Sequence, residues 1–168
     1  MRAIKTTTIS ILAVGLLAGS AVGVAAQDDP TAPALVTGTV ALVSDTNGSS
    51  SLVDGALVIE GTGSVNTWEA SDPRLSGSST YTGNWQRYNA AGFQVEAATR
   101  VLENDAGRWV GTATALAGHN FNTDTVILHG EGAYEGLTAY VLMDWHTDPT
   151  TFTAAIFAGE MPAFPTAE

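Results

Sequence analysis

The sequence predicts an all-β domain, and three observations predict it. Apolar and polar residues alternate with a period of two along most of the chain, most clearly over Leu137–His146. Clusters of Gly, Asp, Asn and Pro recur at short intervals between those runs, as strand-connecting turns require. Beyond residue 26 no segment carries an apolar stripe at helical spacing, and the 18 glycines and many threonines suit a sheet.

Taken in order, Met1–Lys5 is short and basic through Arg2 and Lys5, and the stretch from Ile9 to Val24 is uncharged and apolar. Val24-Ala25-Ala26 then offers small residues before the polar Gln27-Asp28-Asp29-Pro30. That succession is the pattern of a cleavable signal peptide over residues 1–26, too short and too rich in small residues for a membrane anchor. The expectation is an exported, extracellular protein. Residues 27–34, with Pro30 and Pro33, read as a flexible lead-in, and residues 35–165 as a single β-domain.

Eight strands are expected within it, near Val36–Ser44, Ala56–Glu60, Leu75–Thr82, Phe93–Glu103, Arg108–Leu116, Thr125–Gly130, Leu137–His146 and Phe152–Glu160. The links include Asp45-Thr-Asn-Gly48, Asp54-Gly55, Ser71-Asp-Pro73, Asn104-Asp-Ala-Gly107 and Thr147-Asp-Pro149. Asn47-Gly48-Ser49 has the form of a glycosylation sequon, but Asn-Gly is a hairpin turn and is read as one. Eight short strands with tight links predict a single antiparallel β-barrel; a β-sandwich is the alternative. On the strand from Leu137, residues Leu137, Ala139, Val141, Met143 and Trp145 form one face and build core. On the strand from Phe93, residues Phe93, Val95, Ala97 and Val101 are assigned to the core, and Glu96 and Arg100 to a solvated polar face.

Composition removes several functions. The chain has no cysteine, which excludes disulfides, thiolate metal sites, iron–sulfur clusters and a cysteine nucleophile. Loss of residues 1–26 leaves four arginines against seventeen acidic residues, a formal charge of −13. Such a surface repels phosphate backbones and anionic lipids, so neither nucleic acid nor a membrane is an expected partner after cleavage. No Gly-x-Ser-x-Gly elbow supports a nucleophilic hydrolase. Asp144 and His146 share a strand face, but His119, His129 and His146 are read as surface or packing histidines; no metal and no cofactor is expected.

Gly130-Glu-Gly-Ala-Tyr-Glu-Gly136 is the most distinctive run. No helix and no Lys-Ser/Thr follows it, so it is a hairpin with Tyr134 packed over the bend and not a phosphate loop. The longer run Ile127–Val141 resembles a segment of uncharacterised secreted bacterial proteins. Those proteins also carry runs similar to Ser71-Asp-Pro-Arg-Leu-Ser-Gly77, Arg108-Trp-Val-Gly-Thr112 and Gly159-Glu-Met-Pro-Ala-Phe-Pro165. More distantly, the glycine hairpin is similar to one in allene oxide cyclase and dirigent-like proteins. That resemblance implies an eight-stranded calycin-like barrel holding a small apolar ligand, and transfers no catalytic residue.

The functional expectation is a secreted, non-enzymatic barrel that binds a small apolar ligand inside. A cyclase or isomerase using a buried Glu and Arg is one alternative; a filled structural barrel is the other. The candidate ligand-binding residues are Trp68 and Trp85, read as loop aromatics, with Glu69, Tyr81, Glu96 and Arg100.

Overall fold

The computed structural model describes residues 31–163. The signal peptide read at residues 1–26 and the start of the lead-in lie outside them. The described chain is all-β, as expected, with nine strands where eight were predicted. These are β1 (Ala34–Thr46), β2 (Ser49–Val53), β3 (Ala56–Ala70), β4 (Gly77–Tyr88), β5 (Phe93–Glu103), β6 (Gly107–Gly118), β7 (Phe121–Gly132), β8 (Leu137–Asp144) and β9 (Thr150–Ala158), with one short 3-10 turn at Pro73–Leu75. Among the described residues no helix is long and apolar enough to cross a membrane.

All nine strands belong to one antiparallel sheet ordered β1-β9-β8-β7-β6-β5-β4-β3-β2, and β1 also pairs with β3. The pairing therefore runs in a ring of eight strands, with β2 attached to the first part of β3 through Ser49↔Glu60 to Val53↔Ala56. The missed strand, β2, is Ser-rich and exposed throughout, so alternation could not reveal it. Its turn was legible: Asp54 and Gly55 both have positive φ, the conformation of a tight hairpin.

Strand β3 runs ten residues past its expected end because Gly61-Thr-Gly63 is a bulge, not a loop. The β3–β4 register shifts between Ile59 and Thr62, and Gly61 sits at φ 73°. Asn84 holds the bulge by accepting the Gly61 N–H at 2.9 Å. Leu75, expected in a strand, belongs to the 3-10 turn, and β8 stops at Asp144, whose carboxylate accepts the backbone N–H of His146 at 2.9 Å.

The inward face carries the core. At one end of the strands it is filled by large side chains that are essentially inaccessible, including Trp68, Leu102, Trp109, Leu128 and Ile156. The Ser71–Gly77 run closes this end. Asp72 caps the turn by accepting the Arg74 N–H at 3.0 Å and pairs with the Arg74 guanidinium at 2.7 Å. Trp109 donates its indole N–H to the Arg74 carbonyl at 2.8 Å. Tyr134 stacks on Trp109 with centroids 5.0 Å apart and donates its hydroxyl to Asn104 at 2.8 Å. The glycine hairpin therefore packs Tyr134 as the sequence indicated. Gly130 is required there, since a Cβ on it would strike the backbone carbonyl oxygen of Tyr134.

Candidate functional site

Toward the other end the inward side chains become small. Ala113, Ala115 and Ala117 succeed Trp109 on the inner face of β6, and Ala98 faces Ala113 from β5. Of these, Ala115 lines a cavity of about 270 Å³. Its walls come from the end of β1, the bulge of β3, Tyr81 and Trp85 of β4, Glu96 and Arg100 of β5, the end of β6, the start of β7 and Trp145 just after β8.

The charged groups at its base are Glu96, Arg100 and Asp124, which are 7%, 1% and 2% exposed. This reverses the expectation for β5: Glu96 and Arg100 point inward, and Val95 is 37% exposed on the outside. Register explains the reversal. Arg100 lies opposite Tyr81 of β4, and Leu102 lies opposite Ser79 of β4 and Trp109 of β6; those partners are all inward. A strand between two neighbours must match their faces, whatever its own alternation suggests.

Arg100 pairs with Asp124 at 3.6 Å, and its guanidinium lies over the Trp68 and Tyr81 rings, 5.6 and 5.3 Å from their centroids. Tyr81 reaches this position because Gly83 has no side chain; a Cβ there would collide with the Tyr81 hydroxyl. The bulge in β3 places Thr62 to accept the Trp85 indole N–H at 3.1 Å, which fixes that ring on the cavity wall. Trp145, just past β8, adds a further aromatic wall.

Several buried polar atoms here have no hydrogen-bond partner among the described residues. They include Glu96 Oε1, Asp124 Oδ1, the Tyr81 hydroxyl, and Arg100 Nε and Nη1. The Tyr81 hydroxyl lies beside Glu96 without meeting hydrogen-bond geometry. Buried polar groups normally find partners, so this concentration marks a place for water or a ligand.

Burial raises the Glu96 pKa to about 7; the neighbouring Tyr81 hydroxyl and Arg100 pull against it, and Asp124 pushes in the same direction as burial. Burial likewise raises Asp124 against the pull of Arg100. It lifts the Tyr81 phenol well above its usual range, with Glu96 adding to the effect. Arg100 is lowered by burial, with Asp124 and Glu96 opposing.

Of the six candidates, the cavity brings together Tyr81, Trp85, Glu96 and Arg100. Trp68 is neither a loop residue nor at a mouth: it lies in β3, 1% exposed, against Phe152 with centroids 5.0 Å apart. Trp85 is also in a strand, β4, because the cluster from Trp85 to Asn89 continues the ladder as far as Tyr88. Glu69 is exposed on the outer side of β3, away from the cavity. Asp124 and Trp145 were missed as site residues. Asp124 was detectable, because continuing the alternation back from Leu128 and Val126 places it on the inner face. His119, His129 and His146 are exposed, and no group of three metal-ligating side chains occurs among the described residues.

No protein-family model, no curated protein and no solved structure matches this chain.

Proposed function

We propose that the ring of strands is a β-barrel and that the protein is an exported small-molecule binder, its site the cavity around Glu96 and Arg100. The observation that carries the reading is the asymmetry of the interior. One end is packed with Trp and Leu, while the other opens on a cavity whose lining includes unpartnered polar atoms of Tyr81, Glu96, Arg100 and Asp124. A filled structural barrel has no reason to leave five polar atoms of four side chains without hydrogen-bond partners beside an open space. The similarity of the glycine hairpin to one in eight-stranded barrels supports the barrel part of this reading and carries no activity. The mixed walls, with Trp85, Trp145 and Tyr81 above a charged base, suit a ligand with both a ring or chain and a polar group.

The test is occupancy. Native mass spectra of the purified protein, recorded before and after extraction into organic solvent, are expected to show a bound small molecule that leaves on extraction. A clean apo mass, with no uptake from a panel of small ring compounds, overturns the reading in favour of a filled barrel.

A second reading is favoured by one observation, the near-neutral pKa of Glu96. A carboxyl group that titrates near pH 7 beside a buried guanidinium is suited to proton transfer, as in an isomerase or cyclase. In that case Glu96→Gln keeps ligand uptake and abolishes conversion of the ligand. An unchanged ligand after prolonged incubation with the wild type removes this reading.

A further inference from the structure

We infer that the occupant of this cavity is a small organic cation, an ammonium compound seated on the Glu96 carboxylate within the aromatic walls of Tyr81, Trp85 and Trp145. The inference rests on the cavity being a binding site and names the charge of what it binds.

The argument is one of unmatched charge. Of the described residues that line the cavity, Asp45, Glu96 and Asp124 are acidic and Arg100 alone is basic. Arg100 is committed: Asp124 sits at 3.6 Å and the faces of its guanidinium lie against Trp68 and Tyr81. Glu96 has no cation of its own at salt-bridge distance among the described residues, and its Oε1 accepts no hydrogen bond although it is 93% buried. A buried carboxylate oxygen without a hydrogen-bond donor is costly, and an N–H donor carrying positive charge relieves that cost most fully. Aromatic faces add cation–π attraction within a partly dry site. An anionic ligand would instead meet a net negative base. The field of the whole chain acts in the same sense, since acidic residues outnumber basic ones by seventeen to six and draw cations toward the mouth.

Glu96 is faced by Tyr81 from β4, Arg100 from its own strand and Asp124 from β7, and the exposed Asp45 at the end of β1 lines the same cavity. Its ionisation is the step that turns the base of the cavity toward cations. Binding of a permanently protonated amine therefore strengthens as pH rises through neutrality.

The experiment is calorimetric titration of the full chain with three probes of one size: cyclohexylammonium, cyclohexanol and cyclohexanecarboxylate. At about pH 8 the ammonium is expected to bind at least ~10-fold more tightly than the alcohol, and the carboxylate more weakly than either. Ammonium affinity is expected to fall ~10-fold between about pH 8 and about pH 6, the loss expected when the partner carboxylate titrates midway. Glu96→Gln should remove that pH dependence and bring the ammonium down to the affinity of the alcohol. Preference for the alcohol or the carboxylate overturns the assignment of charge and leaves the binding site standing. A Glu96→Gln protein that still binds ammonium with wild-type affinity also overturns it. Failure of all three probes takes away the binding site and this inference together.

Discussion

At the scale of single residues, the energetics turn on two carboxylates. Glu96 has a native pKa of about 7 against an ordinary value of 4.5. Below about pH 4.5 it is protonated both folded and unfolded and costs nothing. Between about pH 4.5 and pH 7 the native state holds a proton the unfolded chain has released, so stability falls as pH rises. Above that window the native ionised form carries a penalty on the order of 3 kcal/mol. Glu96→Gln is therefore expected to raise the melting temperature at about pH 8 and leave it nearly unchanged at about pH 4. Thermal unfolding of both proteins across that range checks this, and a parallel pair of curves contradicts it.

Asp124 behaves oppositely under substitution. Removing its charge leaves Arg100 buried without its ion partner, so Asp124→Asn is expected to cost about 3 kcal/mol in urea unfolding. Replacing the pair together, as in Arg100→Met with Asp124→Leu, is expected to recover most of that loss. Apolar side chains of similar volume need no counter-charge. A double variant less stable than Asp124→Asn would show that the pair contributes more than its mutual neutralisation.

At the scale of the element, the Gly130–Gly136 hairpin is the part of the fold most directly specified by sequence. Gly132 and Gly136 adopt φ of 69° and 79°, and Gly130 makes room for the backbone of Tyr134. Gly130→Ala is expected to destabilise by about 3 kcal/mol or more, because a backbone atom must move. Tyr134→Phe, which keeps the stacking on Trp109 and loses the bond to Asn104, is expected to cost only about 1 kcal/mol. Chemical denaturation separates the two, and equal losses would contradict this account of the hairpin. Other elements were less legible for physical reasons. The all-β class, the turns and the inner face of β8 follow from residue type and period alone. The face of β5 does not: both of its sides carry apolar residues, and only pairing with Tyr81 and Trp109 decides which is buried. The outer face misleads in the same way, since threonine is favoured on any exposed strand. Thr37↔Thr153, Thr39↔Thr151 and Thr114↔Thr125 pair directly across neighbouring strands there.

At the scale of the whole molecule, the interior is divided between a packed end and the proposed site. Without a disulfide, the chain depends on the packed end, where Trp68, Trp109, Leu75 and Leu102 are shielded from water. That end fixes the strand register, and the register carries Glu96, Arg100 and Asp124 inward at the other. Four of the six candidate residues were legible because large aromatics and a Glu–Arg pair four residues apart are visible in sequence. The cavity was not, because its walls come from residues as far apart in sequence as Asp45 and Trp145, which only long-range strand pairing brings together. Filling that space should separate the two roles. Ala115→Phe is expected to abolish small-molecule uptake while leaving the packed end intact, read by titration together with the far-ultraviolet circular dichroism of the sheet. Undiminished uptake by a folded Ala115→Phe protein would place the site elsewhere.

The central claim is that Glu96 is buried on the inner face, turned into the cavity and not onto the solvated face of β5. The carbon-13 resonance of its side-chain carboxyl group, followed by NMR through a pH titration, tests this most directly. The account predicts a midpoint near 7 that moves downward when cyclohexylammonium is added. A midpoint at the ordinary 4.5, unmoved by the amine, would return Glu96 to the solvent and contradict the account.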